Sequence, residues 1–146
     1  MGSAEELTEE VCRFLLANEE VGRVAFVDDD GYPVVLPVNY FLHDDLIVFR
    51  TGPGSKLGLV PLRPVAFEVD HLAPTVRAGW SVLVRGVGHD LTRALGPNYE
   101  KLRQRPLLHW DPSEKHHWLG IKIQAISGRQ IANPRSPPPP EPPRDY

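Results

Sequence analysis

Between Gly22 and Ile131 the chain is dominated by short segments rich in β-branched and aromatic residues, and no regular alternation with helices separates them. "GRVAFV" (22–27), "YPVVLPVNYFL" (32–42) and "DLIVF" (45–49) are divided by "DDDG" and "HDD". That pattern predicts an antiparallel meander. Pro33 and Pro37 have no N–H to give a ladder, so the second strand is expected to bend, or to begin near Val34 and be irregular at Pro37. "PVAFEVDHL" (64–72) alternates, with Val65, Phe67 and Val69 on one face and Glu68 and Asp70 on the solvent face. "GWSVLVRGVGHDL" (79–91) is a long strand in which Gly86 and Gly88 suggest bends or a bulge. "WLGIKIQAISGRQI" (118–131) gives a last strand ending in a turn. About six short strands without strand–helix alternation argue against a Rossmann sheet and for a mainly β fold, a small antiparallel barrel with peripheral helices.

The helices are few. In "LTEEVCRFLLANEE" (7–20), Leu7, Val11, Phe14 and Leu15 fall at helical spacing and Leu16 widens the stripe. Thr8 is the expected N-cap, with Glu9 and Glu10 in the favourable first turn. "SKLGLVPL" (55–62) allows a short helix at best, and "TRALGPNYEKLRQR" (92–105) is helical but interrupted by Gly-Pro. The stretch from Pro106 to His117 reads as loop. A chain of 146 residues is one domain that can bury a core without disulfides or a structural metal. The single cysteine, Cys12, excludes an internal disulfide and a cysteine-based zinc site, and is expected in the core. A net charge of −3 argues against general nucleic-acid binding. No apolar run approaches the ~20 residues of a membrane span, and the acidic start lacks a signal pattern, so a cytoplasmic protein is expected, with no membrane partner.

"FRTGPGSKL" (49–57) carries the chemistry. It gathers Arg50, two hydroxyls, a lysine and two glycines behind an apolar strand. The phosphate loop of nucleotide hydrolases is not met, because the serine precedes the lysine and the flanking parallel unit is missing. Phosphate binding survives. Arg50 offers a planar fork of donors, Lys56 a mobile charge, Thr51 and Ser55 hydroxyls, and the amides opening the next helix point outward. The alternative is that Arg50 pairs with a surface carboxylate and "GPGS" is only a turn.

The ordered set "PVVLPVNY" (33–40), "FRTGPGSKL", "PVAFEVD" (64–70) and "GWSVLVRG" (79–86) resembles the pyridoxamine 5′-phosphate oxidase-like flavin-binding family. The resemblance runs from about Val21 to Ile131 and is nearest to short actinobacterial-type members beside the nitroimidazole-reductase group. It implies a six-stranded antiparallel split β-barrel over residues 1–132 and a homodimer with a flavin between subunits. It implies backbone along the isoalloxazine ring at Pro37, Val38 and Asn39. Arg50, Thr51, Ser55 and Lys56 would grip the flavin phosphate, with Leu57 starting the next helix. Trp80, Ser81 and Val82 would flank the flavin from across the interface. FMN is the expected cofactor, with deazaflavin, FAD or haem as alternatives. The chain turns to prolines just past "SGRQI", where the full oxidases carry substrate-binding residues, so pyridoxamine phosphate is not the expected substrate.

Trp80 and Trp118 are candidates to wall the flavin, and Trp110 to pack. His109, His116 and His117 are expected at a surface or interface rather than on a metal, since neighbouring histidines of a strand face opposite ways. "NPRSPPPPEPPRDY" (133–146) is expected to be an extended, solvated polyproline tail. The resulting expectation is an FMN-binding oxidoreductase acting on a small molecule. The flavin supplies the redox chemistry and no catalytic side chain is named, although Tyr40 or Asn39 could polarise or protonate the ring. A deazaflavin-dependent reductase and a non-catalytic flavin- or haem-binding protein are the alternatives.

Overall fold

The computed structural model describes residues 3–94, 96–107, 117–132 and 141–143. The first helix, α1 (Glu9–Asn18), starts where the sequence places it, because the Thr8 hydroxyl accepts the Val11 N–H at 3.2 Å. Its inner stripe buries Cys12, Leu15 and Leu16. The strands are β1 (Ser3–Glu6), β2 (Val21–Val27), β3 (Pro33–His43), β4 (Leu46–Thr51), β5 (Pro64–Ala73), β6 (Ala78–Asp90) and β7 (His117–Ala132). Every pairing among them is antiparallel.

The strands from β2 to β7 form the expected six-stranded barrel. They run in the order β7-β4-β3-β2-β5-β6, and β7 closes the ring by also pairing with β6. A seventh strand, β1, was not expected. It is short and polar, "SAEE", and is held by the ladder from Ser3↔Ala132 to Glu6↔Arg129 rather than by an apolar pattern. That ladder also explains why β7 runs straight through Gly128 to Ala132 instead of turning. The expected irregularity in β6 is a register shift between Arg85 and Gly86. A 3₁₀ turn of four residues, Lys56–Leu59, follows β4. The second helix, α2 (Pro97–Gln104), takes Pro97 in its first turn, where the missing N–H costs nothing.

The barrel interior is filled by alternating side chains. Val65, Phe67 and Val69 of β5 point in, beside Val24, Val38, Tyr40, Phe49 and Val82. Gly22 permits this packing, since a Cβ there would sit 2.1 Å from the Phe67 ring. A smaller cluster of Phe41, Val48, Leu91, Leu102 and Trp118 lies where α2 covers β4 and β7. No helix of the described residues is long and apolar enough to cross a membrane.

Candidate functional site

The barrel is open at one place. The β3–β4 ladder pairs His43 with Leu46 through Tyr40 with Phe49 and stops there. Beyond that point β3 pairs only with β2, from Asn39↔Val21 to Pro33↔Val27. In register the ladder's next positions would be Asn39 opposite Arg50 and Val38 opposite Thr51, and Pro37 just past them has no N–H to continue it. The Tyr40 N–H donates to the Glu20 carbonyl at 3.1 Å, on the β2 side. Alternation then turns the odd-numbered N–H positions of β3 toward β4, and two of these are Pro33 and Pro37. β3 is therefore continuous, as one strand with one ladder partner at a time. The fork sets Pro37, Val38 and Asn39 on one lip and Arg50 and Thr51 on the other.

On the β4 lip the side chains diverge. Arg50 projects to the outer surface, where its Cζ lies 5.0 Å from the ring centroid of Trp118, its register partner on β7. Trp118 is held from behind by an edge-on contact with Phe41, at 6.4 Å between ring centroids. Arg50 thus has an aromatic face as one of its neighbours, a contact that suits a guanidinium. Thr51 points inward and is 3% exposed.

The loop then rises through Gly54 (φ +76°) to Ser55, whose Oγ accepts the Leu57 N–H at 3.2 Å. That bond uses the second amide of the turn, and a four-residue 3₁₀ turn has little dipole to offer, so the expected helix-end contribution is reduced. The Ser55 hydroxyl hydrogen remains able to donate. Leu57 is buried and anchors the turn in the core. Lys56 Nζ lies 3.5 Å from Asp28 Oδ2 in the β2–β3 turn. Asp28 accepts the N–H groups of Tyr32 and Asp30 at 3.0 Å each. Those bonds, the Tyr32 one foremost, and the nearby ammonium hold its carboxyl below the usual range. Asp28 was not singled out from the sequence, where "DDDG" reads only as a turn.

The remaining candidates fall elsewhere. Trp80, Ser81 and Val82 pair with Gln130, Arg129 and Gly128 at the far end of β7. Twelve residues of β7 separate Trp118 from Gln130, up to ~40 Å at ~3.3 Å per residue. Among the described residues no ladder joins Trp80 or Ser81 directly to either lip of the fork. Val82 is fully buried in the barrel and Val38 is 7% exposed, so neither side chain is presented to a ligand; Val38 can contribute through its backbone. Trp80 is mostly buried and stacks on His71, with ring centroids 6.4 Å apart. Ser81 is on the outer face. Tyr40 does not suit a proton donor: it sits in the core, edge-on to Phe67 at 4.7 Å, and its hydroxyl donates to the Leu16 carbonyl. Burial pushes its phenol far up. His109, His116 and Trp110 lie outside the described residues, and His117 is exposed at the start of β7, opposite Thr51.

Glu68 and Asp70 do face outward, but they are not solitary. Arg23 Nη1 donates to Glu68 Oε1 and Asp70 Oδ2 at 3.0 Å each. The Glu68 carboxyl is pushed up to about 7, by burial first and then by the hydrogen bond and charge of Asp70, against the pull of Arg23.

The family profile described as pyridoxamine 5′-phosphate oxidase matches residues 8–130. An uncharacterized protein of Mycobacterium tuberculosis is 30% identical over 139 residues, covering 90% of this chain and 89% of that one. Among solved structures, an FAD binding protein from Mycobacterium smegmatis is 27% identical with a TM-score of 0.71, over 86% of this chain and 96% of that one. An FAD-binding protein from Mesorhizobium loti is 25% identical with a TM-score of 0.73, over 91% and 100% of the two chains. The split barrel, its fork and these matches lead to one assignment: the chain belongs to the pyridoxamine 5′-phosphate oxidase family.

Proposed function

We propose that the chain is a flavin-dependent oxidoreductase that binds FMN and acts on a small molecule, as a homodimer in the cytoplasm. The observation that carries this reading is the fork beyond Tyr40–Phe49, where the β3–β4 ladder ends with Pro37 on one lip and Arg50 on the other. The donor set fits a phosphate-bearing ring. Arg50 offers two parallel N–H groups, Lys56 a second positive charge and Ser55 a hydroxyl, while the buried Thr51 side chain, expected among the donors, is turned into the barrel. The backbone of Pro37, Val38 and Asn39 would lie along the ring. Trp80 and Ser81 would flank it from a second copy. A bound flavin supplies hydride and electron transfer at its ring; the chain binds, orients and shields it. The core position of Tyr40 removes it from the role of acid or base.

FAD is the second reading, favoured by the two relatives described as FAD-binding. The deciding experiment is reconstitution of purified protein with FMN, FAD, deazaflavin and haem, followed by desalting and visible spectroscopy. Retention of FMN in preference to the others is the expected result. Retention of haem or deazaflavin alone, or of none of the four, overturns the proposal. Reduction of the loaded protein by NADPH then separates an enzyme from a binder.

A further inference from the structure

On the outer face of the barrel, β6 lacks a side chain at Gly79. Its ladder partners on either side are Leu72 of β5 and Ile131 of β7. Both are large, apolar and exposed, at 65% and 52%. Between them lies a hollow of about 470 Å³, walled by Leu72 and Ile131, with Ser81, Arg77 and Arg129 also lining it. Gly79 is required there: a Cβ would fall 2.6 Å from the His71 carbonyl oxygen and 2.9 Å from the Leu72 side chain. Arg77 is held at the hairpin bend in a left-handed conformation, φ +53°. Neither arginine has an ion-pair partner within 4 Å among the described residues. Glu6 stands opposite Arg129 in the β1–β7 register without pairing with it.

Apolar walls leave water poorly satisfied, and two unneutralised guanidinium groups favour negative charge. The volume is that of a small-molecule site. We propose that this hollow binds a ring-sized apolar anion, its body between Leu72 and Ile131 and its carboxylate or comparable acid on Arg77 and Arg129. Because Ser81 also lines the hollow, the occupant would be a molecule held beside the cofactor ring; that role rests on the two-chain flavin reading, whereas the binding itself does not.

The test uses the full chain and 2-naphthoate as probe, with 2-naphthalenemethanol as its neutral counterpart. Amide NMR shifts of Leu72, Gly79, Ser81 and Ile131 are followed with and without FMN. Saturable shifts are expected at these four residues, with naphthoate tighter than the alcohol by roughly tenfold, the scale of one charge-assisted contact. Arg77→Gln and Arg129→Gln are each expected to remove most of that preference and to leave FMN affinity unchanged. Equal affinity for acid and alcohol, or a preference that survives both substitutions, overturns the proposal. So does protection of these amides from exchange in the free protein together with no response to naphthoate, because a second copy would then fill the hollow. If FMN does not bind while naphthoate still discriminates, the flavin reading fails and the anion site stands.

Discussion

Arg50 Cζ stands 5.0 Å from the ring centroid of Trp118, across the β4–β7 ladder and one residue beyond the last β3–β4 pair. The contact holds the half-buried guanidinium beside the end of the β3–β4 ladder. Replacing Arg50 with Ala should therefore weaken FMN by ten- to more than a hundredfold, the equivalent of ~1.5–3 kcal/mol for a hydrogen bond to a charged group. Riboflavin, which has the ring without the phosphate, should lose little. Arg50→Lys should behave like Arg50→Ala, because a point charge reproduces neither the fork nor the stacking. Parallel titrations of both ligands decide the matter; equal losses would put Arg50 away from the phosphate.

Lys56 is shared between its present partner and any phosphate. Asp28→Asn keeps a side-chain oxygen for the N–H groups of Asp30 and Tyr32 but withdraws the charge that holds Lys56. Lys56 is the exposed member of the pair and solvent screens it, so the gain is modest: FMN should bind about one and a half to five times more tightly, and riboflavin as before. Weaker FMN binding in Asp28→Asn would mean that Asp28 positions Lys56 for the ligand instead of competing with it.

The Arg23–Glu68–Asp70 cluster gives stability a pH dependence of defined sign. The carboxyl of Glu68 is raised from 4.5 to about 7 in the folded chain. Between those values the folded state holds a proton that the unfolded state has released, so stability falls as pH rises from about 4.5 to about 7 and is flat, for this group, above that. Glu68 is partly exposed, and after screening the effect is on the order of 1 kcal/mol. Glu68→Gln, which stays neutral, should melt higher than the wild type at pH 8, and the two should converge toward pH 4.5. An advantage independent of pH would show that packing, not protonation, is responsible.

What the sequence conveys here is what local pattern controls. Thr8 before an acidic turn, the alternation of Val65, Phe67 and Val69, and the glycine irregularity in β6 all appear where expected, because propensity and period dictate them directly. β1 was hidden because its residues bury almost nothing and are ordered by backbone bonds to a strand more than a hundred positions later. The Arg23–Glu68–Asp70 cluster was hidden for a related reason: alternation turns the two acids outward, but only the β2–β5 register brings Arg23 between them. The fork was half legible. Pro33 and Pro37 announced a break in a ladder, yet which ladder breaks depends on the side to which the odd-numbered residues of β3 turn.

Ser81 and the fork offer the most direct test of a site shared between subunits. If each site takes its fork from one subunit and Ser81 from the other, then Arg50→Ala and Ser81→Trp each damage both sites of their own homodimers. Unfolding the two variants together and refolding them allows mixed dimers to form. In a mixed dimer one site carries both substitutions and the other carries neither. Random pairing makes half of the dimers mixed, so about a quarter of all sites should regain wild-type affinity. FMN retained after desalting, at a concentration that loads wild type but neither variant, measures the recovery. The same variants refolded separately and then combined on ice should show none until subunits exchange. No recovery after joint refolding, with light scattering confirming dimers, would mean that fork and Ser81 do not meet across an interface, and that the cofactor is held by the fork of a single chain.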